Sequence, residues 1–330
     1  MENTFIKSIR VGKLRHLENI LIEISDTQRK HLILTGKNGS GKTSLLEAMN
    51  AIIIPTYGNF LNNQNASTDK YQHVEIIFEQ PMLNISNLKM LYISTMSGKF
   101  ELPKALEENH EKWFDNLLEA LQSIYDCQDL RLYKDNKNFT FMIEKPGQKP
   151  LSLHEMSGGY SSFINIYMEL LAQLGSTDVV IDCGKSAIAM IDGVETHLHI
   201  EMQKKVLPFL ANKFPNVQFI VTTHSSFVMT SLENAIVYDL GKNERLENPS
   251  FYSYDTVVKS FMDTSMYSDE LQGYFAHYKE LCFKDRTPEE NGEFLKVKAE
   301  LEIRAIPSTE LYIAFQELEK ARKVSIIELL

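Results

Sequence analysis

The run Gly36-Lys37-Asn38-Gly39-Ser40-Gly41-Lys42-Thr43 constrains this chain more than any other stretch. It satisfies G-x-x-x-x-G-K-[ST] in full. The apolar run His31 to Thr35 in front of it reads as a strand, and the run Thr43 to Ile54 behind it reads as a helix that Pro55 is expected to end. Strand, glycine turn and helix in that order is the context the motif requires. Its glycines let successive N–H groups turn inward onto phosphate oxygens, and the helix N-terminus adds its dipole. Asn38, Gly39, Ser40, Gly41, Lys42, Thr43 and Ser44 are therefore expected to seat a nucleoside triphosphate. Lys42 would reach the β- and γ-phosphates, and the Thr43 hydroxyl would serve Mg2+.

Three later elements narrow the class. Ser157-Gly158-Gly159-Tyr160 opens a helix after Met156, a second anion-binding turn that means little alone. Ile188-Ala189-Met190-Ile191-Asp192 is an apolar strand ending in a carboxylate, the Walker B pattern that holds Mg2+ through its water shell. Val217 to Thr223 is an apolar strand that delivers His224 to its end. Each element is commonplace, but their order is specific.

In that order they resemble the ATP-binding-cassette (ABC) class. The run Asp192-Gly193-Val194-Glu195-Thr196-His197-Leu198-His199, followed by Thr222-Thr223-His224-Ser225, is similar to the RecF/OLD/SMC-like branch. The resemblance covers roughly residues 1 to 240 and implies ATP and Mg2+ as cofactors. It also implies a head-to-tail dimer in which Ser157 of one copy caps the γ-phosphate held by the P-loop of another. His224 becomes the switch histidine and Glu195 to His199 the D-loop. SMC-type relatives carry long coiled coils between P-loop and signature, but Thr43 and Ser157 stand only about 110 residues apart, room for a small subdomain. Gln80 is a candidate Gln loop outside any recognisable context, and the His197-x-His199 pair is read as D-loop rather than as metal ligands.

One position departs from the class. The Glu that polarises the attacking water should follow Asp192, and Gly193 stands there. A glycine accepts no proton and orients no water, so the chemical step should slow by orders of magnitude. Either Glu195 or His224 takes over water positioning, or ATP is held as a long-lived clamp. Slow hydrolysis is the preferred expectation, with Glu195 and His224 as the catalytic candidates and Thr43 and Asp192 as the metal-side residues.

The expected fold is α/β: a P-loop head with a mostly parallel sheet, an antiparallel β subdomain and a helical C-terminal region. The expected division places the ATPase domain in residues 1–240, with an inserted β/helical subdomain at 57–152. Residues 241–330 form a helical region for docking or oligomerisation, broken near Arg286-Thr287-Pro288 and Ile306-Pro307-Ser308.

The tail segment from Tyr252 through Leu271 resembles the region after the core in AAA/ABC-like ATPases of bacterial anti-phage systems such as Septu, whose partner is an HNH nuclease. That implies a nucleotide-controlled sensor and scaffold for a nuclease or toxin supplied in trans, since no second active site is evident. The alternative is a RecF-like repair ATPase that clamps DNA directly. Thirty-four Lys and Arg against 44 Asp and Glu give a net charge of −10, which weighs against a phosphate-gripping surface. Lys7, Arg10, Lys13 and Arg15 form the one candidate stripe for it. Cys127, Cys183 and Cys282 show no CxxC pattern and are read as ordinary thiols of a reducing cytoplasm. No apolar run approaches a membrane span and no signal-peptide layout opens the chain, so a cytoplasmic location is expected.

Overall fold

The computed structural model describes residues 4–62, 73–79, 89–95, 110–135, 140–174, 186–262, 265, 267–304 and 310–328. Cys183, Gln80 and the Ile306-Pro307-Ser308 break lie outside them. Two compact units are distinguished, Met1–Val257 and Val258–Leu330.

Alternating apolar and polar residues make β1 (Ile6–Leu14) and β2 (Leu17–Glu23) an antiparallel pair, with Ile9, Val11, Ile20 and Ile22 turned inward. Next, β3 (His31–Thr35) is buried at every position, as a strand covered on both faces must be. The P-loop follows, and then α1 (Lys42–Asn62). This helix runs past Pro55, its expected end; proline costs one intrahelical hydrogen bond without forbidding the turn that follows. β4 (Val74–Phe78) joins the free side of β1, completing a three-stranded antiparallel sheet. β5 (Lys89–Ser94) instead enters the central sheet. The first two described strands of the expected 57–152 insertion therefore belong to these two sheets. The rest of that stretch supplies α2 (His110–Ile124) and a small antiparallel sheet of β6 (Arg131–Asp135), β7 (Thr140–Glu144) and β8 (Leu151–Ser152).

The second half alternates as expected: α3 (Gly158–Leu174), β9 (Ala187–Asp192), α4 (Ile200–Lys213), β10 (Val217–Thr222), the single turn α5 (Ser226–Met229) and β11 (Ala235–Asp239). The first unit continues past residue 240, because β12 (Glu244–Glu247) pairs antiparallel with β11 and closes the sheet edge. The central sheet has the order β12-β11-β3-β10-β9-β5, parallel throughout except for β12. Five parallel strands thus end at one edge, where ligands of open α/β sheets bind.

Leu45, Leu46 and Met49 of α1 share one core with Leu32, Ile188 and Ile220 of the central sheet and with the inner face of the antiparallel sheet. A fully buried glutamine joins the two sheets. Gln218 Oε1 accepts the Ile6 N–H at 2.8 Å, while Nε2 donates to Ile6 O at 3.1 Å and Lys30 O at 2.8 Å.

After α6 (Tyr254–Ser260), the second unit consists of α7 (Asp269–Cys282), α8 (Pro288–Arg304) and α9 (Glu310–Glu328). Thr287 and Glu290 exchange side-chain and backbone hydrogen bonds of 3.2 and 2.9 Å, and Pro288 takes the first helical position, so the expected break at 286–288 is a capped helix start. The unit's core holds Tyr278, Phe294, Leu301 and Phe315. Buried Glu319 accepts from Tyr278 and, at 2.6 Å, from Lys298.

Candidate functional site

The loop after β3 rises beside β2, and this contact dictates its composition. Gly41 has φ +94°, and a Cβ there would stand 2.8 Å from Leu17 Cδ1. Only glycine meets both conditions. The next residue is buried: Lys42 Nζ donates to Gly36 O at 2.8 Å and Lys37 O at 3.2 Å, with Ser40 Oγ at 3.5 Å. Burial lowers the Lys42 pKa, while the carboxylates of Glu195, Asp239 and Asp192 pull it back up. Ser44 is buried, whereas Asn38, Gly39 and Thr43 face solvent. A cation set in a glycine-turned loop at a helix start has the chemistry of a polyphosphate seat.

Thr43 Oγ1 donates to Asp192 Oδ2 at 2.9 Å. The sheet thus brings together the two residues that the sequence proposes for Mg2+. The other carboxylate oxygen, Oδ1, accepts from Thr222 Oγ1 at 2.5 Å. A hydroxyl beside a carboxylate, both oxygen donors, suits a hard divalent cation. Among the described residues no cluster of three or more His, Cys, Asp or Glu is placed to hold a metal; His197 and His199 are exposed.

Gly193 follows Asp192 with φ +67°, and a Cβ there would meet Thr196 Oγ1 at 2.7 Å. The backbone at the position of the missing Glu is therefore shaped for glycine. Two residues on, Glu195 Oε1 accepts the His224 N–H at 2.7 Å, and Glu195 Oε2 is buried without a hydrogen-bond partner. Partial burial and the Lys42 cation hold the His224 pKa below its ordinary value against the pull of Glu195.

Ser157 is exposed, and its carbonyl accepts the Ser161 N–H at 3.1 Å. Gly158 begins α3, and a Cβ on Gly159 would stand 3.0 Å from His197 O, so the signature turn lies against the D-loop run. Among the described residues no hydrogen bond joins Ser157, Gly158 or Gly159 to the P-loop of the same chain.

Three residues at the site received no role from the sequence reading. Thr95, just past β5, places Oγ1 2.8 Å from Asp192 O and 2.6 Å from Gly193 O. Thr222 binds the Asp192 carboxylate from β10. Asp239 ends β11, is buried, and accepts the N–H groups of Gly241 and Lys242 at 2.7 and 3.1 Å. An apolar strand ending in Asp was a visible signal for Asp239; Thr95 and Thr222 become legible only once strand neighbours are known.

The basic stripe is internally compensated. Lys7 stands 3.7 Å from Asp26 and 3.4 Å from Glu79, Arg10 3.0 Å from Glu75, Lys13 2.8 Å from Glu18, and Arg15 3.9 Å from Glu47. No helix among the described residues is long and apolar enough to cross a membrane. Cys127 and Cys282 are free thiols.

A family model described as "AAA domain, putative AbiEii toxin, Type IV TA system" matches residues 62–230, taking in Ser157, Asp192, Glu195 and His224. A second, "P-loop containing region of AAA domain", matches 16–69. Among curated proteins the chain is 23% identical to "Retron Ec83 probable ATPase" of Escherichia coli over 285 residues, 78% of this chain and 51% of that protein. It is 21% identical to "Septu protein PtuA" of Bacillus mycoides (strain KBAB4) over 302 residues, 74% of this chain and 41% of that one. The chain thus spans about half the length of these relatives. The resemblance to AAA/ABC-like ATPases drawn from the motifs is met by these matches. Among solved structures, the SMC head domain from Thermotoga maritima aligns with a TM-score of 0.45 at 14% identity, over 71% of this chain and 94% of that one.

Proposed function

The chain belongs to the AAA-domain family matched over residues 62–230, and from that premise we propose that it binds Mg2+–ATP and hydrolyses it slowly as the nucleotide-controlled part of an anti-phage defence complex. One observation carries this reading: Lys42, Thr43, Asp192, Glu195 and His224, from three separate stretches of chain, converge at the edge where the parallel strands end. In the proposed division of labour, Lys42 and the loop N–H groups hold the β- and γ-phosphates. Thr43 and Asp192 hold Mg2+, which when bound offsets charge on those phosphates.

Glu195 takes the role that Gly193 cannot. One carboxylate oxygen is fixed by the His224 N–H, which leaves Oε2 to orient water. Ser157 serves the nucleotide of a second copy, in a head-to-tail dimer. The relatives named for Septu and retron systems support a defence role, with a nuclease or toxin acting in trans and residues 258–330 as the docking region in a cytoplasmic complex. The DNA-clamp alternative finds no support in the basic stripe, whose cations already stand against carboxylates.

The test is a titration of the purified chain with a fluorescent ATP analogue, with and without Mg2+, alongside co-purification with the product of the adjacent gene. Saturable uptake lost in Lys42→Ala, together with a stable co-purified nuclease or toxin, supports the proposal. No uptake by the wild-type chain, or tight salt-dependent binding of duplex DNA by the chain alone, would sink it.

A further inference from the structure

We infer that Thr222 is the positioning residue that sets the geometry of the metal-side carboxylate and couples it to the D-loop, an inference that rests on the Mg2+–ATP reading above. Three hydrogen bonds converge on this one residue at the end of β10. Its hydroxyl donates to Asp192 Oδ1 at 2.5 Å and accepts the Gly193 N–H at 2.7 Å. Its carbonyl accepts the Val194 N–H at 3.1 Å. A threonine hydroxyl has one proton and two lone pairs, so donating to a carboxylate while accepting from an amide uses its capacity in the only consistent direction.

The consequence for Asp192 is directional. With Oδ1 held by Thr222, the carboxylate plane is fixed so that Oδ2 is the oxygen that meets Thr43 Oγ1. Thr95 closes the opposite side through its contacts with the Asp192 and Gly193 carbonyls. Hydroxyls from β10, from the end of β5 and from the start of α1 thereby enclose a single Asp-Gly step. Thr222 is buried, at 2% exposure, whereas Asp192 and Gly193 are half-buried at the strand end. The same residue lies two positions before His224, whose N–H holds Glu195. A shift of Asp192 is therefore transmitted through the strand end to the carboxylate assigned to water.

The experiment compares Thr222→Val, which keeps shape and loses the hydroxyl, with Thr222→Ser, which keeps it. Binding of the fluorescent ATP analogue is measured against Mg2+ concentration and in EDTA. Loss of an outer hydrogen-bond partner of a metal-side carboxylate weakens metal affinity by about 10–100-fold. Thr222→Val should raise the Mg2+ concentration for half-maximal enhancement by at least about tenfold, leave uptake in EDTA within about twofold, and be rescued by Thr222→Ser. A wild-type Mg2+ profile in Thr222→Val, or an equal loss of binding with Mg2+ and in EDTA, would overturn the assignment. Should Thr222→Val fail to fold, the same titration of Thr222→Cys decides by the same two outcomes. A wild-type chain with no uptake in either condition would refute the nucleotide reading itself, a result distinct from any failure of Thr222.

Discussion

Thr43 Oγ1 donates to Asp192 Oδ2 at 2.9 Å, joining the first turn of α1 to the end of β9 across 149 residues of chain. The two residues lie far apart in the sequence, and the parallel sheet makes them partners. Asp192→Asn retains the size of the side chain and removes the charge. Mg2+-dependent nucleotide binding should fall by about 10–100-fold while the metal-free component persists, as read by titration in Mg2+ and in EDTA.

Glu195→Gln should leave ATP binding within about threefold of wild type and lower steady-state phosphate release by about a hundredfold or more. The amide can still accept the His224 N–H but is not a base. Turnover unchanged in Glu195→Gln would remove Glu195 from the chemical step.

Restoring the glutamate that the class carries after Asp192 should not restore activity. At φ +67°, and with Thr196 Oγ1 2.7 Å from any Cβ, Gly193→Glu strains the backbone by about 1–3 kcal/mol and displaces the D-loop turn. The expected result is a lower melting temperature and phosphate release no faster than wild type. A large gain in rate would show that the turn relaxes to accept the side chain.

His31 carries a pH dependence located far from the site chemistry. It lies buried at the start of β3, where Nδ1 accepts the Phe219 N–H at 3.0 Å, and burial, aided by the Arg29 cation, pushes its pKa down from 6.5 to about 4. The folded state keeps this ring neutral while the unfolded chain binds a proton below pH 6.5. Stability should therefore be complete above that pH and fall between about 6.5 and 4, by up to roughly 3 kcal/mol. Urea midpoints across this range check it, and the His31→Gln variant should show a flatter profile.

In the helical unit Glu319 is the pivot. Burial alone would raise its pKa, but hydrogen bonds from Lys298, Tyr278 and Arg322 outweigh it and hold the value down at about 2. Glu319→Gln should cost about 2 kcal/mol, seen as a loss of roughly 30-fold in hydrogen-exchange protection across α7 to α9. No loss of protection would mean that the cations hold the helices together without it.

The sequence disclosed what depends on neighbours in the chain. The phosphate loop, the carboxylate ending β9 and the histidine after β10 each announce themselves within a few residues, because apolar runs make buried strands and strand ends deliver side chains to one edge. What depends on strand order stayed hidden. β4 and β5 are separated by a short stretch yet enter different sheets, one beside β1 and the other beside β9, and no local pattern distinguishes them. Thr95 and Thr222 gain meaning only because β5 and β10 flank β9 on its two sides. The extension of α1 past Pro55 escaped for a different reason: proline is a penalty, which favourable packing along a helix can offset.

The buried amide of Gln218 limits how this protein can be dissected. Trimming the first strand to obtain a minimal fragment would strip that side chain of both Ile6 partners deep in an interior that offers no replacement. The first strand, paired on both sides, is accordingly no ornament that shortening or domain-swapping experiments can discard; fragments beginning after it should be recovered insoluble.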